Sequence, residues 1–486
     1  MRRKPALLVL ALALALAVPV VSRAAGSEIR RISFWSAALQ KTVNVTVILP
    51  PNYGPASETY PVVYLLHGSA NETQNEFGPA MIEGLTDDLA AHGIVGVLPD
   101  SGSGWTDARD PQPKQIRWEA TWPQENEPIL GVNRGSATVD DTRYTAGQQS
   151  YERHLLTELL PYIESHFAVS RDRRGRGVFG HSGGAYGSFI LATRHPDLFS
   201  FLGGSSGPIS WRDEAWFAVG AAIDLAWGGR DPITDEVFMR SRDPKELAEN
   251  LLGTGMTIMH SSGCADPATQ FGDPTCGLEG FARPINDDWD AHATEIGLPH
   301  TYFRLDGPDQ RTHAVPFVAL PVYEQYFVPA AAATFANPPA IPTAWRYKTA
   351  DRDFRLWDWA FHVDRPNREF LTLLNVMPGG FVARGTGSLV VETPPTYQAG
   401  GVYQITATGP AGVERSTARA GEDRRLRFTV QLGAPRLIDQ QSALEQAGAF
   451  PFDEFSVAIG QTDTPSDTPA PECPPAWIYP VIRCGS

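Results

Sequence analysis

The chain has 486 residues, 42% hydrophobic and 10% aromatic, enough apolar material to bury a core in each of two or three domains and too much for a disordered polymer. Its formal net charge of −15 repels phosphate backbones and excludes nucleic acid as a natural partner. The 45 glycines and 41 prolines imply many turns and argue against a helical bundle.

Met1-Arg2-Arg3-Lys4 is a basic start, and an apolar run from Ala6 to Val21 follows. Small residues around Ala24 then suit cleavage, which is the layout of a secretory signal peptide over residues 1–25. A membrane anchor is the rival reading, since the run is nearly long enough to span. The leader carries four basic residues and no acid, so its removal takes the net charge from −15 to −19. The expected location is secreted or periplasmic, where disulfides form. Four cysteines fall into two local pairs, Cys264/Cys276 and Cys473/Cys484; of the three connectivities, this one costs the least loop-closure entropy. No CxxC spacing supports a cysteine-bound zinc, and neither a metal nor a cofactor is expected.

Residues 41–49 place Val43, Val45 and Val47 on one face of a strand. Pro61 to Leu66 is a continuous apolar run, suited to a strand buried on both faces. A helix is expected over 81–92, a strand over 94–98, and a helix over 151–167 kinked at Pro161. Strand 177–180 leads into helix 185–193; strands 199–203 and 256–260, helix 286–296, strand 301–305 and helix 315–326 follow. Strands alternating with helices specify an α/β domain with a mostly parallel sheet, assigned to residues 26–328. The long segment 100–149 carries Trp105, Trp118 and Trp122, which could form a substrate wall or pack as ordinary loop residues.

An Ala/Pro run at 329–342 reads as a linker. Beyond it, short β-like stretches between Gly or Pro turns suggest a small all-β sandwich over 343–434. Residues 435–486 read as a partly disordered tail. Trp345, Trp357, Trp359 and Phe361 could form a sugar-stacking platform, although their strand spacing favours core packing.

The most informative stretch is Gly180-His181-Ser182-Gly183-Gly184. It fits G-x-S-x-G between a strand and a helix, a turn that exposes a serine hydroxyl at the carboxyl end of a sheet. Glycines are needed there because a side chain at 180 or 184 would collide with the neighbouring elements. Serine is a poor nucleophile without a base; His313, on a loop after the last strand, has the placement for one. The acid that orients it is expected at Asp266, after strand 256–260, in the order Ser…Asp…His. Asp288 and Asp231 remain alternatives. An oxyanion needs two N–H donors: the Gly183 backbone and the Ser69 backbone are assigned, with Ala70 as the alternative to Ser69. His67 and His181 flank this site.

With Tyr60 to Gly68, Glu158 to Glu164 and the Gly180–Gly184 turn in this order, residues 43–328 resemble the esterase family of α/β-hydrolases. That family includes S-formylglutathione hydrolases, feruloyl esterases and mycolyltransferases. The resemblance implies an α/β-hydrolase fold, a Ser-Asp/Glu-His triad and no cofactor. Carried over by position, the nucleophile falls on Ser182, the base on His313 and the acid on Asp266. Two departures stand out. Mycolyltransferase relatives take their acid from the helix after the strand, which keeps Asp288 open, and Thr312 replaces the usual glycine before the base. The β-domain looks like one appended to some secreted bacterial esterases.

The function expected is an exported serine carboxylic-ester hydrolase acting on a small-molecule or polymer-linked ester. Acyl transfer to a sugar or lipid hydroxyl, and a non-catalytic surface-binding protein, are the alternatives. The C-terminal domain is expected to contact the cell envelope or a polysaccharide.

Overall fold

The computed structural model describes residues 26–39, 41–51, 53–54, 59–68, 79–99, 151–210, 236–264, 274–311, 313–436, 440, 442–446, 448 and 451–461. Its first half is built on an eight-stranded sheet. The strands are β1 (Glu28–Ser36), β2 (Lys41–Leu49), β3 (Val62–Leu66), β4 (Val95–Pro99), β5 (Arg176–His181), β6 (Phe201–Ser205), β7 (Thr257–Ser262) and β8 (Thr301–Arg304). They lie in the order β1-β2-β4-β3-β5-β6-β7-β8. β1 and β2 join antiparallel, β2 meets β4 antiparallel, and every pair from β4 to β8 is parallel.

Five helices cover the faces: α1 (Pro79–Ala91), α2 (Leu160–His166), α3 (Gly183–Arg194), α4 (Glu279–Glu295) and α5 (Val328–Ala336). The two-residue period of β3 sends Val62, Tyr64 and Leu66 to one core with Ile163, Phe189 and Trp289 from α2, α3 and α4. Val63 and Leu65 face the other way, with Leu85 and Leu89 of α1 and Val328 and Ala331 of α5. A strand buried on both faces has no polar positions to spare, hence the unbroken apolar run at 62–66.

Three local expectations change. At Pro161, where the sequence predicts a kink, Leu155–Leu159 forms a π-helical turn leading into α2, a local widening that often accompanies a proline in a helix. The Ala/Pro run is not a linker at its start: α5 occupies 328–336 and continues directly from a π-helical turn at Tyr323–Phe327, with Pro329 just past the junction. The helix expected at 286–296 begins seven residues earlier, at Glu279, and runs through Pro284.

The second half is two antiparallel sheets. Its strands are β9 (Trp345–Thr349), β10 (Asp353–Leu356), β11 (Trp359–Asp364), β12 (Leu371–Met377), β13 (Gly380–Arg384), β14 (Ser388–Glu392), β15 (Val402–Gly409), β16 (Gly412–Arg419), β17 (Arg427–Gln431) and β18 (Glu454–Gln461). A four-stranded sheet runs β10-β11-β14-β17, and a six-stranded one β16-β15-β18-β13-β12-β9. β18 pairs with β15 on one side and β13 on the other. The sandwich therefore extends past residue 434, and part of the expected tail is a central strand. Trp345, Trp359 and Phe361 lie buried in its core, which removes them from any sugar platform; Trp357 instead lies against the Arg173 guanidinium, 5.2 Å from its ring centre.

Candidate active site

Ser182 stands between β5 and α3 with φ 54° and ψ −121°, a conformation that costs a non-glycine residue about 1–3 kcal/mol. The surroundings enforce it. A Cβ on Gly184 would lie 1.9 Å from the Leu66 carbonyl oxygen, and one on Gly180 would lie 2.5 Å from the same atom. Only glycines let β3 and the turn approach this closely. The turn leaves Ser182 and Gly183 partly exposed while their neighbours on both sides are buried.

His313 follows the short turn Pro308–Arg311 and precedes the helical turn Val315–Val318. The Ser182 hydroxyl lies 2.8 Å from its Nε2. Its Nδ1–H donates to Oε1 of Glu279 at 2.6 Å. This one imidazole thus bridges a strained serine and a carboxylate.

The carboxylate is the main correction to the sequence reading. Asp266 was expected there, but the group on His313 is Glu279, the first residue of α4, with a side chain fully buried. Its other oxygen accepts from the Ser206 hydroxyl at 2.9 Å and from the Gly263 backbone N–H at 2.6 Å. Three donors on one buried carboxylate satisfy it and fix its direction. Gly263 has to be glycine, since a Cβ there would lie 2.0 Å from the Gln310 carbonyl oxygen. The Cys264–Cys276 disulfide closes the loop that runs from Gly263 to α4, and Arg283 of α4 donates back to the Cys264 carbonyl at 3.0 Å.

Asp288, the alternative acid, lies more than two turns further along α4 and is engaged elsewhere: it accepts from Ser210 at 2.5 Å and from Lys245 at 2.6 and 2.7 Å. Asp266, Asp231, Ser69, Ala70, Trp105, Trp118, Trp122, Cys473 and Cys484 lie outside the described residues. Gly183, the other expected oxyanion donor, is the first residue of α3, where backbone N–H groups point outward and the helix dipole favours negative charge.

His181 completes the surroundings. It is fully buried, with Nε2 3.3 Å from the His313 carbonyl oxygen and ring centres 4.6 Å apart. Burial, reinforced by the nearby His313, holds its pKa well below the ordinary range. It therefore stays neutral and sets no positive charge against the imidazolium that His313 would become.

A family model described as "Putative esterase" matches residues 36–267. Residues 36–267 thus resemble the esterase family. The match includes Ser182 and ends before Glu279 and His313, so the His313–Glu279 pair rests on geometry alone. Esterase Rv1288 of Mycobacterium tuberculosis strain H37Rv is 26% identical over 283 residues, 56% of this chain and 54% of that protein. The endo-1,4-beta-xylanase/feruloyl esterase of Xylanibacter ruminicola is 27% identical over 192 residues, 37% of this chain and 22% of that protein. The chain thus spans about half the length of the mycobacterial esterase it matches. Among solved structures, an S-formylglutathione hydrolase from Agrobacterium tumefaciens has a TM-score of 0.44 at 18% identity, covering 64% of this chain and 97% of that one.

Proposed function

We propose that this protein is an exported serine carboxylic-ester hydrolase in which Ser182, His313 and Glu279 form the catalytic triad. The observation that carries the reading is the pair of hydrogen bonds on His313, 2.8 Å to Ser182 and 2.6 Å to Glu279. In the forward step His313 Nε2 takes the Ser182 proton as Oγ attacks the ester carbonyl carbon. Glu279 holds the opposite nitrogen protonated and stabilises the imidazolium. The resulting oxyanion is met by the Gly183 N–H at the start of α3. His313 returns its proton to the leaving alkoxide, leaving an acyl group on Ser182. Water, deprotonated by the same imidazole, then releases the acid and restores the serine.

Glutamate suits the acid role as well as aspartate does, in the chain order Ser…Glu…His. Export rests on the basic and apolar leader, and the Cys264–Cys276 disulfide fits an oxidising compartment. Relatives named as esterases and as a feruloyl esterase agree with an ester as the substrate class.

The test is hydrolysis of p-nitrophenyl acetate by purified protein and by Ser182→Ala. A loss of about 10⁴–10⁶ in turnover is expected; equal rates would end the proposal.

A further inference from the structure

A second cluster lies about three turns along α4 from Glu279. His260 of β7, Asp290 of α4 and His300, just before β8, bring one ligand atom each to within 4.8 Å of one another. Their hydrogen bonds fix the orientation of both rings. Asn286 uses its amide N–H groups on the Gly207 and Ala282 carbonyls, so its Oδ1 is an acceptor, and His260 Nδ1–H donates to it at 3.1 Å. His260 Nε2 is then a lone pair, buried and without a hydrogen-bond partner.

His300 is held at both nitrogens: its Nδ1–H donates to the Leu298 carbonyl at 2.8 Å and its Nε2–H to Asp290 Oδ1 at 2.8 Å, the proton that a metal ion would displace. The second Asp290 oxygen is held by Arg304 at 3.0 Å. Each imidazole is thus oriented through Nδ1 by an oxygen acceptor and presents Nε2 inward, and the carboxylate is braced from behind. Such outer bracing orients metal-binding histidines. Asp290 is about a quarter exposed, which leaves a side open to solvent for a further ligand.

We propose that His260 Nε2, His300 Nε2 and Asp290 Oδ1 form a binding site for a divalent transition metal of the zinc type, with water in the fourth position. Two imidazoles and one carboxylate match the ligand preference of zinc. Closing to the separation of about 3.3 Å set by zinc–nitrogen bonds of about 2.0–2.1 Å asks for small movements of His300 and Asp290, the two partly exposed members. The ion would tie β7, α4 and the approach to β8 together near the C-terminal end of the helix that begins with Glu279. The proposal is independent of the ester-hydrolase reading, because none of its ligands touches Ser182 or His313.

The test is zinc titration of the full-length protein after chelator treatment, by calorimetry and thermal denaturation, with cobalt(II) as a spectroscopic probe. Expected are one equivalent bound, visible absorption of a four-coordinate cobalt centre, and a rise in Tm with zinc. His300→Ala should weaken binding at least about tenfold and abolish the Tm rise, and Asn286→Ala should weaken it by about 10–100-fold, each with an unchanged circular dichroism spectrum. Should a variant fail to fold, the cobalt spectrum of the unaltered protein still decides. No stoichiometric binding, a purely six-coordinate cobalt spectrum, or equal affinity in the unaltered protein and His300→Ala overturns the proposal and leaves a His300–Asp290 ion pair.

Discussion

Glu279 shows how much a single carboxylate is asked to do. It accepts from His313, Ser206 and Gly263 at once, so Glu279→Gln keeps the shape but turns one acceptor into a donor facing existing donors. A loss of about 10³–10⁴ in kcat is expected, with KM little changed; a loss below tenfold would remove Glu279 from the triad. Gly184 gives the steric counterpart. Because its Cβ would sit 1.9 Å from the Leu66 carbonyl oxygen, Gly184→Ala is expected to cost about 2–4 kcal/mol of stability, read as a lowered midpoint in urea. At this scale the pairing of Ser182 with His313 was legible in sequence, since a G-x-S-x-G turn and a histidine after the last strand have fixed places in the chain. The acid was not legible. Pro284 masks the helix start at Glu279, and nothing in the local sequence sets that glutamate, three residues beyond Cys276, apart from the aspartates around it.

At the level of elements, the Cys264–Cys276 loop supports the acid from both ends, with Gly263 before it and Glu279 after it. Cross-linking 12 residues apart stabilises by about 3 kcal/mol through the unfolded chain. The double variant Cys264→Ser/Cys276→Ser is therefore expected to melt lower and to lose activity at temperatures where its circular dichroism is still native. Activity that survives up to global unfolding would mean the loop does not position Glu279. Element legibility followed burial. The doubly buried β3 and β4 announce themselves as apolar runs, whereas β1, exposed or half-exposed along nearly all its length, is an edge strand with too many charges to stand out. β18 alternates Phe455, Val457 and Ile459, a signal present in sequence but isolated from β17 by more than twenty residues of turn-like composition. α5 was hidden because alanine and proline runs serve linkers and helix starts alike.

Across the whole molecule, the hydrolase half and the sandwich are joined by a polar seam. Arg194 at the end of α3 pairs with Glu152 at 2.8 Å and with Asp351 at 2.8 Å. Tyr347 donates to the Arg194 carbonyl at 2.7 Å. Asn250 exchanges hydrogen bonds with the Lys348 backbone at 3.0 and 2.7 Å, as a neighbouring strand would. Glu246 meets both Arg240 and Lys348. Burial alone would raise the Glu152, Glu246 and Asp351 carboxyls, yet their cationic partners hold all three below the usual carboxylate range. A carboxyl depressed by folding stabilises the native state above its unfolded pKa, and that stability is lost as pH falls through the folded value. The Tm is thus expected to hold from pH 7 to about 5 and to fall steeply below about 4.5, with the Arg194→Met variant melting lower at pH 7. A Tm that rises on acidification would contradict this account of the seam.

The central claim is that His313 activates Ser182, and active-site labelling tests it most directly. A fluorophosphonate probe reacts with an activated serine, and mass spectrometry of the digested protein locates the adduct. The account predicts a single modified residue, Ser182, and loss of labelling in a folded His313→Ala variant. An adduct on another serine, or labelling that persists without the imidazole, would contradict it.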